Sequence, residues 1–440
     1  MAKDTNVVSY KPKVVRSWIM YDWANSVYNL VITTAIFPIY YTSVTKASAN
    51  GLVNFYGFEI KNTVLYAYAL SASFLVIAFI SPLLSGIADN RGSKKFFMKV
   101  FCFIGALSCM ALFFFNSVQT VSIGITAFML ATMGYAGSIV FYNAFLPEIA
   151  PQNMHDKISA QGYAMGYIGS SLLLIINLVM IQKPQWFGIT DAGLASRIAF
   201  VTVGVWWIGF ALITFKGLHE TPKNRNTNNY IQQGYVALYH VWQQLKTEPI
   251  LRRFLSAFFF YNMGVQTVMY VASLFGANEI KMTESLLIAT LLVIQFVAVI
   301  GALLFAWFSK LLGNINALCL ATFVWIAICV SAYFIYNATP FIILAGVVGL
   351  VMGGIQALSR ATYAKLIKSK PEHASYFSFY DICDKAGMVL GTLSFGLIEA
   401  ISGSMRNSIF ALAAFFIIGI ILLRPLQKLK TKSIFKTNGV

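Results

Sequence analysis

Twelve transmembrane helices in two pseudo-symmetric six-helix halves, an all-α membrane protein, is what the sequence predicts, and three observations predict it. Of the 440 residues 58% are hydrophobic and only 11% charged, less than half the roughly one quarter usual in soluble domains. The hydrophobic residues fall in runs of about 20 or more, each long enough to cross ~30 Å of hydrocarbon. The halves also echo one another: Gly137-Ser138-Ile139 resembles Gly353-Gly354-Ile355, and Asp89-Asn90-Arg91-Gly92 stands where Lys310-Leu311-Leu312-Gly313 stands in the second half. A water-soluble enzyme or a disordered chain does not fit this composition. Barrel strands would be shorter and would alternate in polarity, so helices are the spanning element.

Cuts at charged, Pro/Gly and Asn-rich breaks place the helices at roughly 18–42, 63–86, 96–116, 120–148, 158–181, 196–215, 251–275, 285–309, 315–337, 340–366, 375–402 and 406–425. The longest polar gap divides the chain into an N-terminal half (1–215), a linker (216–250) and a C-terminal half (251–440). Within the linker Ile231, Tyr235, Leu238, Trp242 and Leu245 fall on one helical stripe, with Gln232, Gln233, Gln243, Gln244 and Lys246 mostly elsewhere. Such a helix is expected to lie in the membrane interface and join the halves. With the N-terminus inside, all Lys and Arg except Lys46, Lys61, Lys183, Arg197, Lys281 and Arg406 fall in the inner loops and helix ends. The positive-inside rule therefore puts both termini in the cytoplasm. Ala47-Ser48-Ala49 looks like a cleavage site, but the preceding apolar stretch is too long for a signal peptide and carries Asp22, Asn25 and Asn29.

The net charge of +17 reflects that topology, with some attraction to anionic lipid; no compact basic patch suggests nucleic acid. Cys102, Cys109, Cys319, Cys329 and Cys383 lie inside expected spans without a CxxC pair and read as small hydrophobes. His155, His219, His240 and His373 are expected in loops, which argues against haem, and there is no phosphate-loop motif. No cofactor or metal is expected. The expected partners are a small-molecule solute, a proton or other coupling ion and the lipid bilayer, with the chain a monomer.

A charge inside a bilayer costs ~2.5–3.5 kcal/mol on insertion scales, so each one needs a reason. Span 1 sets Asp22, Asn25/Ser26, Asn29 and Thr33 three or four residues apart, a polar stripe that should face the bundle interior. Interhelical glue is the plain account, but glue does not require a carboxylate, so a solute path is favoured. Span 7 repeats the design with Asn262, Gln266 and Tyr270. Span 5 offers Tyr163, Tyr167 and Ser170 among Gly162, Gly166 and Gly169; the glycines read as close packing, and the tyrosines suit a ligand or a neighbour equally. Span 10 carries Gln356, Arg360 and Tyr363. Span 11 carries Tyr380, Asp381, Asp384 and Lys385, with Asp381 and Lys385 spaced to pair. Arg360 and Asp384 each lie about 10 Å from the inner ends of their helices, which puts Arg360 within reach of a span 11 aspartate. A buried structural ion pair is one reading. A group that exchanges its partner for a solute carboxylate, or an acid that takes a proton, is the favoured one. Glu148, at the inner end of span 4, suits a gate-side role.

The segment Ser85-Gly86-Ile87-Ala88-Asp89-Asn90-Arg91-Gly92-Ser93-Lys94-Lys95 resembles the span 2–3 signature of the major facilitator superfamily, G-x-L-A-D-R-x-G-R-K, with Ser85 in place of its first Gly. The resemblance implies a cytoplasmic latch made by Asp89, Arg91, Gly92, Lys94 and Lys95, with Asp89 attracted to the N-terminus of span 11. More closely, the chain is similar to the vacuole-effluxer-like (autophagy-related amino-acid effluxer) branch. The segments that carry this are Tyr21-Asp22-Trp23-Ala24-Asn25-Ser26, Tyr142 to Ala150, Gly162 to Tyr167, Gly354 to Arg360, and Phe379-Tyr380 with Lys385. Ser378 and Thr392 depart from the Gly and Pro of that pattern.

The resemblance implies a secondary transporter working by alternating access, and amino acids as the solute class. The residues themselves point to a small polar or zwitterionic solute coupled to protons, with Asp22 and Asp384 as proton or ammonium partners and Arg360 or Lys385 as the carboxylate partner. Opposite charges in low dielectric motivate this. The rival is a multidrug or lipophile exporter, suggested by 37 Phe and 22 Tyr, though lipid-facing helices need such residues too. A membrane receptor or enzyme is the weaker rival, since neither a catalytic cluster nor a large exterior domain appears.

Overall fold

The computed structural model describes residues 10–46, 51–220, 230–367 and 369–436, with side chains omitted at 230, 231, 233 and 428–436. Several features singled out in the sequence lie outside the described residues: the Ala47-Ser48-Ala49 motif, the basic residues Lys3, Lys223, Arg225 and Lys368, and the side chains of Ile231, Gln233, Lys428, Lys430, Lys432 and Lys436.

Among the described residues twelve helices are long and apolar enough to cross a membrane. They are span 1 (Pro12–Thr45), span 2 (Asn62–Arg91), span 3 (Lys94–Phe114), span 4 (Val118–Ile149), span 5 (Gln152–Gln182) and span 6 (Ala192–Gly217), then span 7 (Pro249–Asn278), span 8 (Glu284–Leu312), span 9 (Asn314–Phe334), span 10 (Ala338–Leu366), span 11 (His373–Ser402) and span 12 (Met405–Gln427). Most outrun the apolar cores that mark them in sequence, because a helix continues into the headgroup region, where polar residues cap it. Asp191 shows how: its carboxylate accepts the Leu194 N–H at 2.8 Å at the start of span 6, and that bond holds the carboxyl below its usual range. Large side chains such as Phe79 and Ile401 stand 79% and 86% exposed, a surface suited to lipid rather than water.

The chain forms two compact units. The first comprises Lys11–Phe145 with Met165–Gly234; the second comprises Leu146–Ala164 with the described residues from Tyr235 on. Span 5 thus contributes its two ends to different units.

In the first unit, span 1 is wrapped by aromatic rings. Trp18 stacks on Tyr142 at 4.4 Å and donates its indole N–H to the Tyr142 carbonyl at 2.9 Å. Phe37 stacks on Phe128 at 4.6 Å, and the Trp206 indole donates to the Trp23 carbonyl at 3.1 Å. Span 5 comes so close to span 1 that a Cβ on Gly166 would sit 2.4 Å from Ser26 Oγ; this glycine is there for packing. Between Tyr28 and Ile36 the helix widens to π geometry, which the α-spaced polar stripe does not anticipate. Pro38 has no N–H to continue an α ladder, and the wider turn instead aligns Asn29 with Thr34, whose hydroxyl donates to the Asn29 carbonyl at 2.8 Å.

A short hairpin, β1 (Leu52–Phe55) and β2 (Phe58–Lys61), joins spans 1 and 2, with Phe55 opposite Phe58. Tyr56 and Gly57 turn it at φ of 50° and 95°. Four-residue strands are too short to show alternation in sequence.

In the second unit, spans 8 and 10 interlock through small residues: a Cβ on Gly301 would meet the Leu350 carbonyl at 1.9 Å. Span 7 packs on spans 11 and 12. The linker helix forms over Tyr230–Thr247, but its buried positions are Gly234, Val241 and Leu245, while Tyr235 and Trp242 are exposed. Where this helix meets protein, Trp242 lies beside the Phe379 ring and Tyr376 donates to Gln244. His155 and His373 begin helices and His240 lies within the linker helix, instead of in loops. A fully buried His155 bonds the Ala150 carbonyl at 3.1 Å, which ties it to its own helix start.

Candidate functional site

Among the described residues of the second unit, span 11 carries a group of three adjoining charges. Lys385, buried, pairs with Asp384 at 2.6 Å and, one helical turn back, with Asp381 at 3.4 Å. The i,i+4 spacing predicts the second contact. Span 7 completes the group: Asn262 and Gln266, a turn apart, donate their amides to Asp384 Oδ1 at 2.7 and 2.9 Å. The two polar runs seen in sequence on spans 7 and 11 are thus two sides of one cluster. Asp384 receives three donors. Asp381, 4% exposed, receives only the distant lysine, and its Oδ2 is buried without a hydrogen-bond partner among the described residues.

Arg360 does not join this cluster. The expected ion pair between Arg360 and a span 11 aspartate does not form, because both aspartates are turned to Lys385 and the span 7 amides. Arg360, 2% exposed, is held instead by span 5: its Nε donates to Ser159 Oγ at 2.9 Å, its Nη2 donates to the Ser159 carbonyl at 2.8 Å, and the guanidinium lies 4.1 Å over the Tyr163 ring. The face of Tyr163 thus carries a cation. Tyr380 stacks on Phe258 at 4.0 Å. Gln356, half-buried, lies one turn before Arg360.

Other expected residues fall in the first unit. Asp22 is 4% exposed and accepts the Tyr142 hydroxyl at 2.7 Å. Asn25 is buried, with its Nδ2 unpartnered among the described residues, and Tyr167 is buried while Asn29 is half-buried. In the span 2–3 loop, Gly92 ends span 2 at φ 66°, a left-handed cap that favours glycine. The chain turns there so that buried Lys94 comes within 3.9 Å of buried Asp89. Lys95 donates to the Leu218 carbonyl at 2.6 Å, its backbone N–H meets the Glu220 carboxylate, and Arg91 is exposed. Glu148, in the second unit, pairs with His373 Nδ1 at 2.8 Å.

The apolar cavity among spans 7 to 12 of the second unit, lined by residues such as Phe275, Ile294, Phe341 and Phe395, holds about 90 Å³. That is smaller than the ~150 Å³ cavity known to admit benzene.

The model of the family described as vacuole effluxer Atg22 like matches residues 10–433. The chain belongs to that family. Relatives of this Atg22-like protein include the uncharacterized MFS-type transporter YxiO of Bacillus subtilis, 30% identical over 93% of this chain and 94% of the relative. Autophagy-related protein 22 of Kluyveromyces lactis is 25% identical over 81% of this chain and 77% of its own. Among solved structures, the major facilitator transporter FucP in its outward conformation superposes with a TM-score of 0.69 at 15% identity, covering 94% of this chain and 98% of that one. The proton:xylose symporter XylE gives 0.68 at 11% identity, covering 94% and 95%. These two likenesses establish the fold. The Atg22-like chain is a multi-pass membrane transporter of the major facilitator superfamily.

Sequence reasoning missed one network of this Atg22-like protein. At the start of span 5, Asp156 accepts Lys365 Nζ at 2.5 Å, Ser309 Oγ at 2.8 Å and Asn314 Nδ2 at 2.7 Å, and Asn314 also reaches Thr362 at 3.0 Å. Met154-His155-Asp156-Lys157 reads as an ordinary polar loop, so nothing in its spacing marks it. Ser159, which holds Arg360, is as unmarked.

Proposed function

We propose that this transporter moves a small zwitterionic solute, an amino acid being the class its family resemblance implies, by alternating access coupled to protons. It is placed in a bacterial inner membrane with both termini cytoplasmic, and it works as a monomer. The single observation that carries the reading is the second unit's charge arrangement: a buried guanidinium on span 10 and, on span 11, buried Lys385 paired with buried Asp381 and half-buried Asp384. Buried charges are expensive unless they are matched. A purely structural pair would need one acid and one base; here there are two bases and two acids in two separate networks. A zwitterion offers a carboxylate for Arg360 and an ammonium for the span 11 carboxylates, while Asp22 supplies a further acid in the first unit. Asp89, Arg91, Gly92, Lys94, Lys95 and Glu148 are the gate residues of this proposal.

Purified full-length protein in liposomes, supplied with labelled neutral amino acids, tests it. Uptake is expected to rise severalfold when a pH gradient is imposed and to collapse with a protonophore. Equal rates with and without the gradient would remove proton coupling.

A further inference from the structure

The span 11 cluster holds two acids for one base. With both carboxylates ionised it carries a net negative charge in a low-dielectric site; with one of them protonated it is neutral, which burial favours. The geometry decides between them. Asp384 is surrounded by three donors, Asn262, Gln266 and Lys385, all within 2.9 Å, and each stabilises the ionised form. Asp381 has Lys385 at 3.4 Å and a buried oxygen with no hydrogen-bond partner among the described residues. Protonation of Asp384 would set an O–H against groups that only donate to it, whereas protonation of Asp381 gives up little.

We infer that Asp381 carries the coupled proton, and that Asp384 stays ionised throughout as the fixed counter-ion of Lys385. This rests on the proton coupling proposed above and assigns it to one atom pair. The proton binds a carboxylate oxygen of Asp381 and leaves from the same oxygen, so the step needs no other reactant. The charged and titratable groups around Asp381 are Lys385, Asp384 and Cys383 on its own helix. Span 7 faces the cluster with Asn262, Gln266 and Tyr270. As the acid loses its proton, Lys385 has two negative partners instead of one, and the pull on its ammonium is redistributed between consecutive turns of span 11. Solute arrival is coupled to the same event: an ammonium entering the cluster replaces the proton as the charge that balances Asp381.

Infrared difference spectroscopy on the full-length protein in lipid, stepped between about pH 5 and about pH 9, reads this without any solute, since a protonated carboxyl shows a C=O stretch that a carboxylate lacks. The wild type is expected to show a titrating carboxyl band that Asp381→Asn removes and Asp381→Glu restores at a shifted frequency. Asp384→Asn leaves one acid for one base, so its carboxyl band is expected to move to lower pH. Thermal unfolding of each variant checks that it is folded. If the band survives at its wild-type position in a folded Asp381→Asn, the assignment is overturned although proton coupling stands. If the wild type shows no titrating carboxyl and its uptake ignores the pH gradient, proton coupling itself fails and the assignment falls with it.

Discussion

Arg360→Lys is expected to abolish solute uptake while leaving the transporter folded. The substitution keeps the positive charge but removes the planar fork that donates to both Ser159 Oγ and the Ser159 carbonyl and that lies flat on Tyr163. A lysine ammonium is a point charge that cannot hold that forked, stacked geometry. Each hydrogen bond lost from a charged group costs about 1.5–3 kcal/mol, roughly a 10- to 150-fold loss in apparent affinity. Uptake in liposomes and thermal unfolding of the same preparation check it. Normal uptake by Arg360→Lys would mean that the guanidinium only fastens span 10 to the start of span 5.

The second large effect falls on stability. Asp156→Ala removes the acceptor shared by Lys365, Ser309 and Asn314, leaving Lys365 with Asn314 Oδ1 at 2.9 Å. Breaking a fully buried pair from one side destabilises by about 3–5 kcal/mol; with Lys365 half-buried the loss is expected to be smaller, and the unfolding midpoint in detergent to drop measurably. Asp156→Asn keeps one acceptor oxygen and is expected to lose less. An unchanged midpoint for Asp156→Ala would show that the network is not structural.

The legible part of this protein was the part written in runs and spacings. Twelve apolar runs, the Asp381–Lys385 interval, the amides of Asn262 and Gln266 and the Gly92 turn all have local signatures, because helix periodicity and backbone conformation act over a few residues. What was not legible depends on which helices become neighbours. Depth alone puts Arg360 level with Asp384, yet Ser159 takes the arginine and Lys385 takes the aspartates. Asp156 looks like a solvated loop acid until Ser309, Asn314 and Lys365 arrive from three other helices. The π segment over Tyr28–Ile36 escapes for a different reason: a proline at position 38 announces a break in the ladder but not how the chain resolves it.

Central to the proposed function is a solute that bears both charges, one for Arg360 and one for the span 11 carboxylates. Thermal stabilisation of the wild-type protein by each neutral amino acid, by its decarboxylated amine and by its deaminated acid tests this most directly. A shift with at least one amino acid, and none with either single-charge analogue, is the predicted result. Equal stabilisation by an analogue, or stabilisation by lipophilic dyes and by no amino acid, would contradict it.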